Sequence, residues 1–412
     1  MKFAIIKEVK SPPDRRVVLS PEACCQLLET YPNAEVVVQP SDIRVFKDEE
    51  YKALGITVSE DVSDCDVMLG VKEATIDSLI ANKSYFFFSH TIKKQPYNRA
   101  LLNAILDKNI TFYDHETVTD SRGNRLIGFG YYAGIVGAYN AIRAYGLKFG
   151  GINLPNADSL KDGKELEEEL KKIKVPAIKI VVTGTGKVGT GVKEILEILK
   201  IKEVSVNDYL EKEFNEPVYV QLDALDYNAR KDGHELDKYD FFENPSDYES
   251  TFMRFAAVSE LYIAAHFYGE GAPYIITHDN TKSDTFNIKE LLKLVKKLIK
   301  VIADISCDID GPVSPTIRPS TIADPVYGYN PETSQEIDYK DAKAIVVMAV
   351  DNLPCELPDN ASRGFGNMFL KDVIPAFFND DKDGVLQRAK MTENGKLTEN
   401  FKYLQDYVDG KE

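Results

Sequence analysis

Val181 to Val192 reads VVTGTGKVGTGV: an apolar run enters three glycines, Gly184, Gly186 and Gly189, and a helical pattern leaves them. Gly184 suits a tight strand-to-helix turn, and Gly186 lets backbone approach a pyrophosphate with no Cβ in the way. Gly189 allows the helix to pack closely on the strand. Val188, Val192, Ile195, Leu196 and Leu199 recur at helical spacing, so the glycines open an amphipathic helix whose positive end can hold phosphates. Asp208 follows at the end of KEVSVND, read as a second strand, at the spacing of about 20 residues expected of a ribose-binding acid. Lys187 and Val188 complete the set of candidate cofactor-binding residues. An acid at Asp208 binds ribose hydroxyls and repels a 2′-phosphate, which favours NAD; Lys187 and Lys202 keep NADP open as the alternative.

Outward from this turn, the first 130 or so residues alternate strand-like runs (FAIIKE, AEVVVQP, VMLGVK, SYFFFSH, TFYDHE) with helical ones (PEACCQLLETY, KDEEYKALG, NRALLNAILDK). That rhythm predicts a parallel or mostly parallel sheet with helices on its faces. The expected fold is therefore α/β, two Rossmann-like domains with parallel sheets and an active-site cleft between them. Residues 1–134 with about 350–412 form the substrate domain, its last helices crossing back. Residues 135–349 form the dinucleotide domain, with an insertion around 210–250. GYYAGIVGAYNAIRAYG, from Gly130, is read as a joining helix, 287–300 as a further helix, and VIADIS and AIVVMAV as strands.

Composition bounds the function. The 412 residues are 43% hydrophobic, ample for two cores, and the formal charge of −16 comes from 66 acids against 50 bases. No basic footprint supports nucleic-acid binding. The apolar runs are far shorter than the ~20 residues that span a bilayer, and Met1 leads directly into a strand; a cytoplasmic protein with no membrane partner is expected. The five cysteines, Cys24, Cys25, Cys65, Cys307 and Cys355, show no CxxC spacing, and neither a disulfide framework nor a metal site is expected.

Lys72 ends VMLGVK and His90 ends SYFFFSH, two polar residues closing neighbouring apolar strands, where ligands gather in open α/β sheets. Either alone is ordinary; together they suit proton transfer. Arg16 offers a planar fork to a carboxylate, or is simply a surface arginine in a charged loop. Glu116, Arg125 and the pair Asp304 and Asp308 stand open in the same way; without a neighbouring ligand cluster, hydrogen bonding to a cofactor is preferred to metal binding for the acid pair.

KEVKSPPDRRVVLSP, GVKE at Gly70, SHTIKKQ from Ser89, DHETVTDSRGNRLIGFG from Asp114, GTGKVG, DISCD and DNLP at Asp351 together resemble lysine-forming saccharopine dehydrogenase and the lysine 2-oxoglutarate reductase half of a bifunctional lysine-degrading enzyme, within the alanine dehydrogenase and transhydrogenase group. The resemblance runs end to end and is weakest over 210–282. It implies that Lys72 and His90 are the acid-base pair and that Arg16 lies near the substrate. It further implies that Glu116 modulates the lysine, that Arg125 contributes to the substrate pocket, and that Asp308 lies near the nicotinamide ribose. The implied reaction interconverts saccharopine with lysine and 2-oxoglutarate, with amino acid and keto acid as partners and a homo-oligomer compatible with the sequence. Two other readings stand beside it: an amino acid dehydrogenase of the alanine type, and a dinucleotide-binding module without catalysis.

Overall fold

A computed structural model of the chain describes residues 1–281, 299–309 and 311–411; most of the expected helix over 287–300 lies outside them. Two compact units emerge, residues 1–129 with 358–412 and residues 130–357. No described helix is long and apolar enough to cross a membrane.

The first unit is built on parallel strands β1 (Lys2–Ile5), β2 (Glu35–Val38), β3 (Thr57–Val58), β4 (Val67–Lys72), β5 (Ser84–Phe88) and β6 (Thr111–Asp114), in the order β6-β5-β4-β1-β2-β3. Alternate residues feed opposite faces: Phe3, Ile5, Leu69, Phe86 and Phe88 enter one core, and Ala4, Met68, Tyr85 and Phe87 the other. A sheet buried on both faces needs near-continuous apolar strands, which is what SYFFF supplies. Beyond β6 lies an element the sequence did not announce, an antiparallel hairpin of Lys390–Glu393 and Lys396–Leu397. It makes the sheet mixed rather than wholly parallel. The helix Pro358–Asp372 contributes Phe365 and Phe369 to the first core.

The second unit carries β7 (Lys179–Thr183), β8 (Lys202–Glu203), β9 (Val218–Leu222), a small pair β10 (Asn228–Arg230) and β11 (Tyr248–Ser250), then β12 (Leu261–Ala264), β13 (Val301–Asp304), β14 (Val326–Asn330), β15 (Gln335–Ile337) and β16 (Ile345–Met348). The main sheet runs β15-β14-β16-β13-β12-β7-β9-β8, parallel except where β14 and β15 join at one edge. The strand beside the glycine turn is thus β9, with β8 at the edge. KEVSVND is not one strand: Ser205 caps a helix, Val206–Glu211, its hydroxyl accepting from the Asp208 amide at 3.2 Å, and the strand stops at Glu203. The expected insertion around 210–250 accordingly shrinks, because Val218–Leu222 is a central strand and only the segment after it departs from the sheet.

Gly130–Phe149 forms one helix, part of the second unit, lying against the helix Lys187–Ile198. The two meet at glycines: a Cβ on Gly134 would stand 2.0 Å from the Val188 carbonyl oxygen, and one on Gly191 2.1 Å from that of Tyr131. Backbone cannot yield there as a side-chain tip can. Gly134→Ala is therefore expected to cost about 1–3 kcal/mol through overpacking, read as a lower urea midpoint; an unchanged midpoint would mean that the helices separate freely.

Candidate functional site

Residues of the glycine turn line a cavity of about 550 Å³ in the second unit. β7 is buried along its whole length and delivers the chain into Gly184, whose φ of +101° only glycine adopts easily and whose missing Cβ would lie 2.4 Å from the Ala265 carbonyl oxygen. Gly189 lacks room for a different reason: its Cβ would stand 2.1 Å from the Gly184 oxygen. Gln221 of β9 donates from Nε2 to that same oxygen at 2.8 Å and fastens the turn to the neighbouring strand. A Cβ on Gly186 would meet nothing within 4 Å, so open space lies over this backbone at the start of Lys187–Ile198. Tight beneath and open above, the cradle fits a dinucleotide pyrophosphate. Lys187 and Val188 line the cavity; Gly189 acts by close packing beside it.

Asp208 does not line this cavity. It sits on the short capped helix, its side chain 44% exposed and ion-paired to Lys212 at 2.8 Å. The acid that does line it is Asp223, the residue after β9. Thr185 Oγ1 donates to Asp223 Oδ2 at 3.2 Å and Lys238 Nζ at 2.6 Å. Burial pushes this carboxyl up, but the Lys238 and backbone hydrogen bonds outweigh it and hold the pKa below the usual value. The available signal was VYVQLD itself, an apolar strand ending in an acid, masked by the closer acid at the expected spacing. His266, after β12, is a second residue the sequence reading missed. Thr183 Oγ1 engages its Nδ1 at 2.8 Å, while its buried Nε2, in the cavity lining, has no partner among the described residues. Burial lowers its pKa to about 4, so the ring is neutral near pH 7.

Asp308 lies off the lining, but its charge reaches Tyr268, which is part of it. Asp304 has a structural occupation: at the end of β13 it accepts from Ser306 Oγ at 2.8 Å and Thr316 Oγ1 at 2.6 Å, closing the turn that puts Cys307 at φ +49°. Among the described residues, no group of three or more His, Cys, Asp or Glu side chains is placed to hold a metal ion.

In the first unit, β4 and β5 are neighbours with Lys72 in register with Phe88, so Lys72 and His90 stand at adjacent carboxyl ends. His90 has φ +55°, a left-handed conformation a non-glycine residue keeps only where its surroundings impose it. Beside it stands Asp114, fully buried at the end of β6. Its Oδ2 accepts from the Ser89 amide at 2.9 Å and its Oδ1 from the Glu116 amide at 2.8 Å. One carboxylate thus aims two segments at each other, and His90 Nδ1 comes within 3.4 Å of Glu116 Oε2, while Arg125 lies 3.9 Å from Glu116 Oε1. Burial opposes the Glu116 charge, yet the His90 hydrogen bond and the nearby His90, Lys93 and Arg125 hold its pKa below the ordinary value.

Arg16 is not a surface residue in a loop. It is 3% exposed, packs 4.2 Å over the Phe129 ring, and donates from Nε and Nη2 to both carboxylate oxygens of Asp14, at 3.0 and 2.6 Å. That fork is taken up by Asp14, two residues earlier. Burial alone would raise the Asp14 pKa, but Arg16, with a contribution from Lys72, lowers it, which places the pair within electrostatic reach of the lysine.

Residues 4–136 match the family described as alanine dehydrogenase/PNT, N-terminal domain. Over 444 aligned residues the chain is 27% identical to an alpha-aminoadipic semialdehyde synthase of Arabidopsis thaliana, covering 97% of this chain and 41% of that protein. It is 28% identical to the mitochondrial alpha-aminoadipic semialdehyde synthase of Rattus norvegicus, covering 92% of this chain and 45% of that one. The chain thus spans less than half the length of these synthases. A saccharopine dehydrogenase (NAD(+), L-lysine-forming) of Yarrowia lipolytica is 23% identical, with 91% of this chain and 92% of the relative covered. Among solved structures, an L-alanine dehydrogenase superposes with a TM-score of 0.63 at 17% identity over 99% of this chain and all of that one. A transhydrogenase from Sinorhizobium meliloti superposes with a TM-score of 0.59 at 14% identity over 97% of this chain and all of that one. These two share the fold.

Proposed function

We propose that this chain, which fits the family of saccharopine dehydrogenases and alpha-aminoadipic semialdehyde synthases, is an oxidoreductase interconverting saccharopine with L-lysine and 2-oxoglutarate. In the oxidative direction saccharopine, water and oxidised nicotinamide become lysine, 2-oxoglutarate, reduced nicotinamide and a proton. The observation that carries this reading is the strand-end set of Lys72, His90, Glu116 and Arg125, found in a chain that also holds a glycine cradle closed by an acid.

When bound, the nicotinamide supplies or accepts the hydride. Gly184, Gly186 and the first amides of Lys187–Ile198 would hold its pyrophosphate, and Asp223 would take the ribose hydroxyls. His90 gives its Nδ1–H to Glu116, leaving the Nε2 lone pair to take a proton from water or the reacting amine. The Glu116 carboxylate stabilises the imidazolium that results, and the His90 hydrogen bond, with Lys93 and Arg125 nearby, favours its ionised form. Lys72 supplies the second exchangeable proton, and the charged Asp14 and Arg16 pair sets the field around it. General acid-base steps of this kind contribute about 10²- to 10⁴-fold each.

The test is product identity. Lysine plus 2-oxoglutarate should oxidise NADH and yield saccharopine by mass. Turnover with pyruvate and ammonia instead would make the chain an alanine-type dehydrogenase, and NADH binding without oxidation under either condition would make it a non-catalytic module. NAD is the cofactor proposed, on Asp223. Asp223→Asn is expected to weaken NADH binding about tenfold while sparing NADPH, since the charge that repels a 2′-phosphate is gone and Lys238 is released to meet it. Unchanged discrimination in fluorescence titrations would assign ribose reading to another residue.

A further inference from the structure

β4 does not run regularly to its end. Its pairing with β5 passes from Leu69 opposite Phe86 to Lys72 opposite Phe88, three steps on one strand against two on the other, which is a bulge at Gly70 and Val71. A bulge orphans backbone groups, and buried orphans need partners. Here each named one has its own. The Gly70 carbonyl oxygen accepts from His115 Nε2 at 2.9 Å. The Val71 and Lys72 amides both donate to Glu8, which follows β1: Val71 N to Oε1 at 2.6 Å and Lys72 N to Oε2 at 2.9 Å. Both oxygens of one carboxylate therefore grip consecutive amides at the end of the strand that carries the lysine.

We propose that Glu8 is the positioning residue of Lys72: its carboxylate clamps the two amides the bulge releases and so aims the lysine side chain. This rests on the acid-base reading of Lys72. The clamp requires the ionised form, because a carboxylic acid would turn an O–H toward an amide donor. Burial pushes the Glu8 pKa up to about 8, with the two amides pulling it down; of the charges facing it from the segment after β1, Asp14 raises it and Arg16 lowers it. The clamp therefore tightens as pH rises through about 8.

Glu8→Gln offers one acceptor and one donor to two amides and breaks half the clamp. It should lower kcat on the order of tenfold and abolish the rise of kcat with pH near 8, with the dissociation constant for NADH unchanged within about twofold. Glu8→Asp keeps both acceptor oxygens and should fall between Glu8→Gln and wild type while melting close to wild type, which guards against a variant that merely unfolds. In a Lys72→Met background, Glu8→Gln should cost nothing further. Equal losses with and without the lysine, or an unaltered pH profile, would overturn the proposal and leave Glu8 a structural residue. Full turnover of Lys72→Met alone would instead overturn the acid-base reading.

Discussion

Lys72→Met and His90→Gln are each expected to lower kcat by about a hundredfold or more while leaving dinucleotide affinity within about twofold. The size follows from what each substitution removes. Methionine keeps the unbranched stem of lysine but no exchangeable proton. Because Glu8 holds the Lys72 backbone rather than its side chain, the end of β4 should stay where it is. Glutamine in place of His90 can still donate toward Glu116, but its amide has no basic nitrogen to take up a proton. Steady-state kinetics give kcat, and quenching of intrinsic tyrosine fluorescence by NADH gives affinity, since the chain has no tryptophan. A parallel loss of NADH binding would show that these residues belong to cofactor recognition and not to proton transfer.

Gly189→Ala should lose dinucleotide binding by about a hundredfold or more, the second large effect. The added methyl would lie 2.1 Å from the Gly184 carbonyl oxygen and 2.7 Å from Gln221 Nε2, so either the turn opens or the helix lifts from the strand. Both displace the amides proposed to hold phosphate. Gly186→Ala is the matched control. Its methyl meets no protein atom within 4 Å, so the free protein should melt like wild type, and only the approach of a pyrophosphate should suffer. If Gly186→Ala binds NADH normally, the phosphates do not pass over this backbone, and the cavity has another occupant.

What could be read from the residues alone was local. Strand, glycine turn and helix occupy one short stretch, and Lys72 and His90 each terminate an apolar run, so spacing and polarity reveal them. What escaped depends on which segments become neighbours. Asp223 takes its place because β9, not the segment straight after the glycine helix, pairs with β7. The capping hydroxyl of Ser205 breaks KEVSVND where its alternating valines suggested continuity. Asp114, within the strand-like run TFYDHE, was not singled out, yet buried at the end of β6 it fixes both Ser89 and Glu116. Arg16 was legible as a candidate but not as a buried one, since its burial depends on Phe129 and Asp14 closing over it.

The hairpin that completes the first sheet closes a long loop in the first unit. Phe112 donates its amide to Thr392 Oγ1 across 280 positions of sequence, with the whole second unit in between. Closing so long a flexible loop is entropically costly. Within the inserted unit the two chain crossings are held together: Asn140 Nδ2, on its entry helix, donates to Glu356 Oε1, beside its exit, at 2.8 Å, and Gly137 packs near Ile305 and Leu353. With entry and exit tied together, the effective loop becomes short. Without the hairpin, β6 would be an open edge bearing Phe112 and Tyr113, a template for pairing with other chains. The Asn140–Glu356 hydrogen bond thus shortens the loop that the hairpin must close, a demand on these two residues that is independent of catalysis.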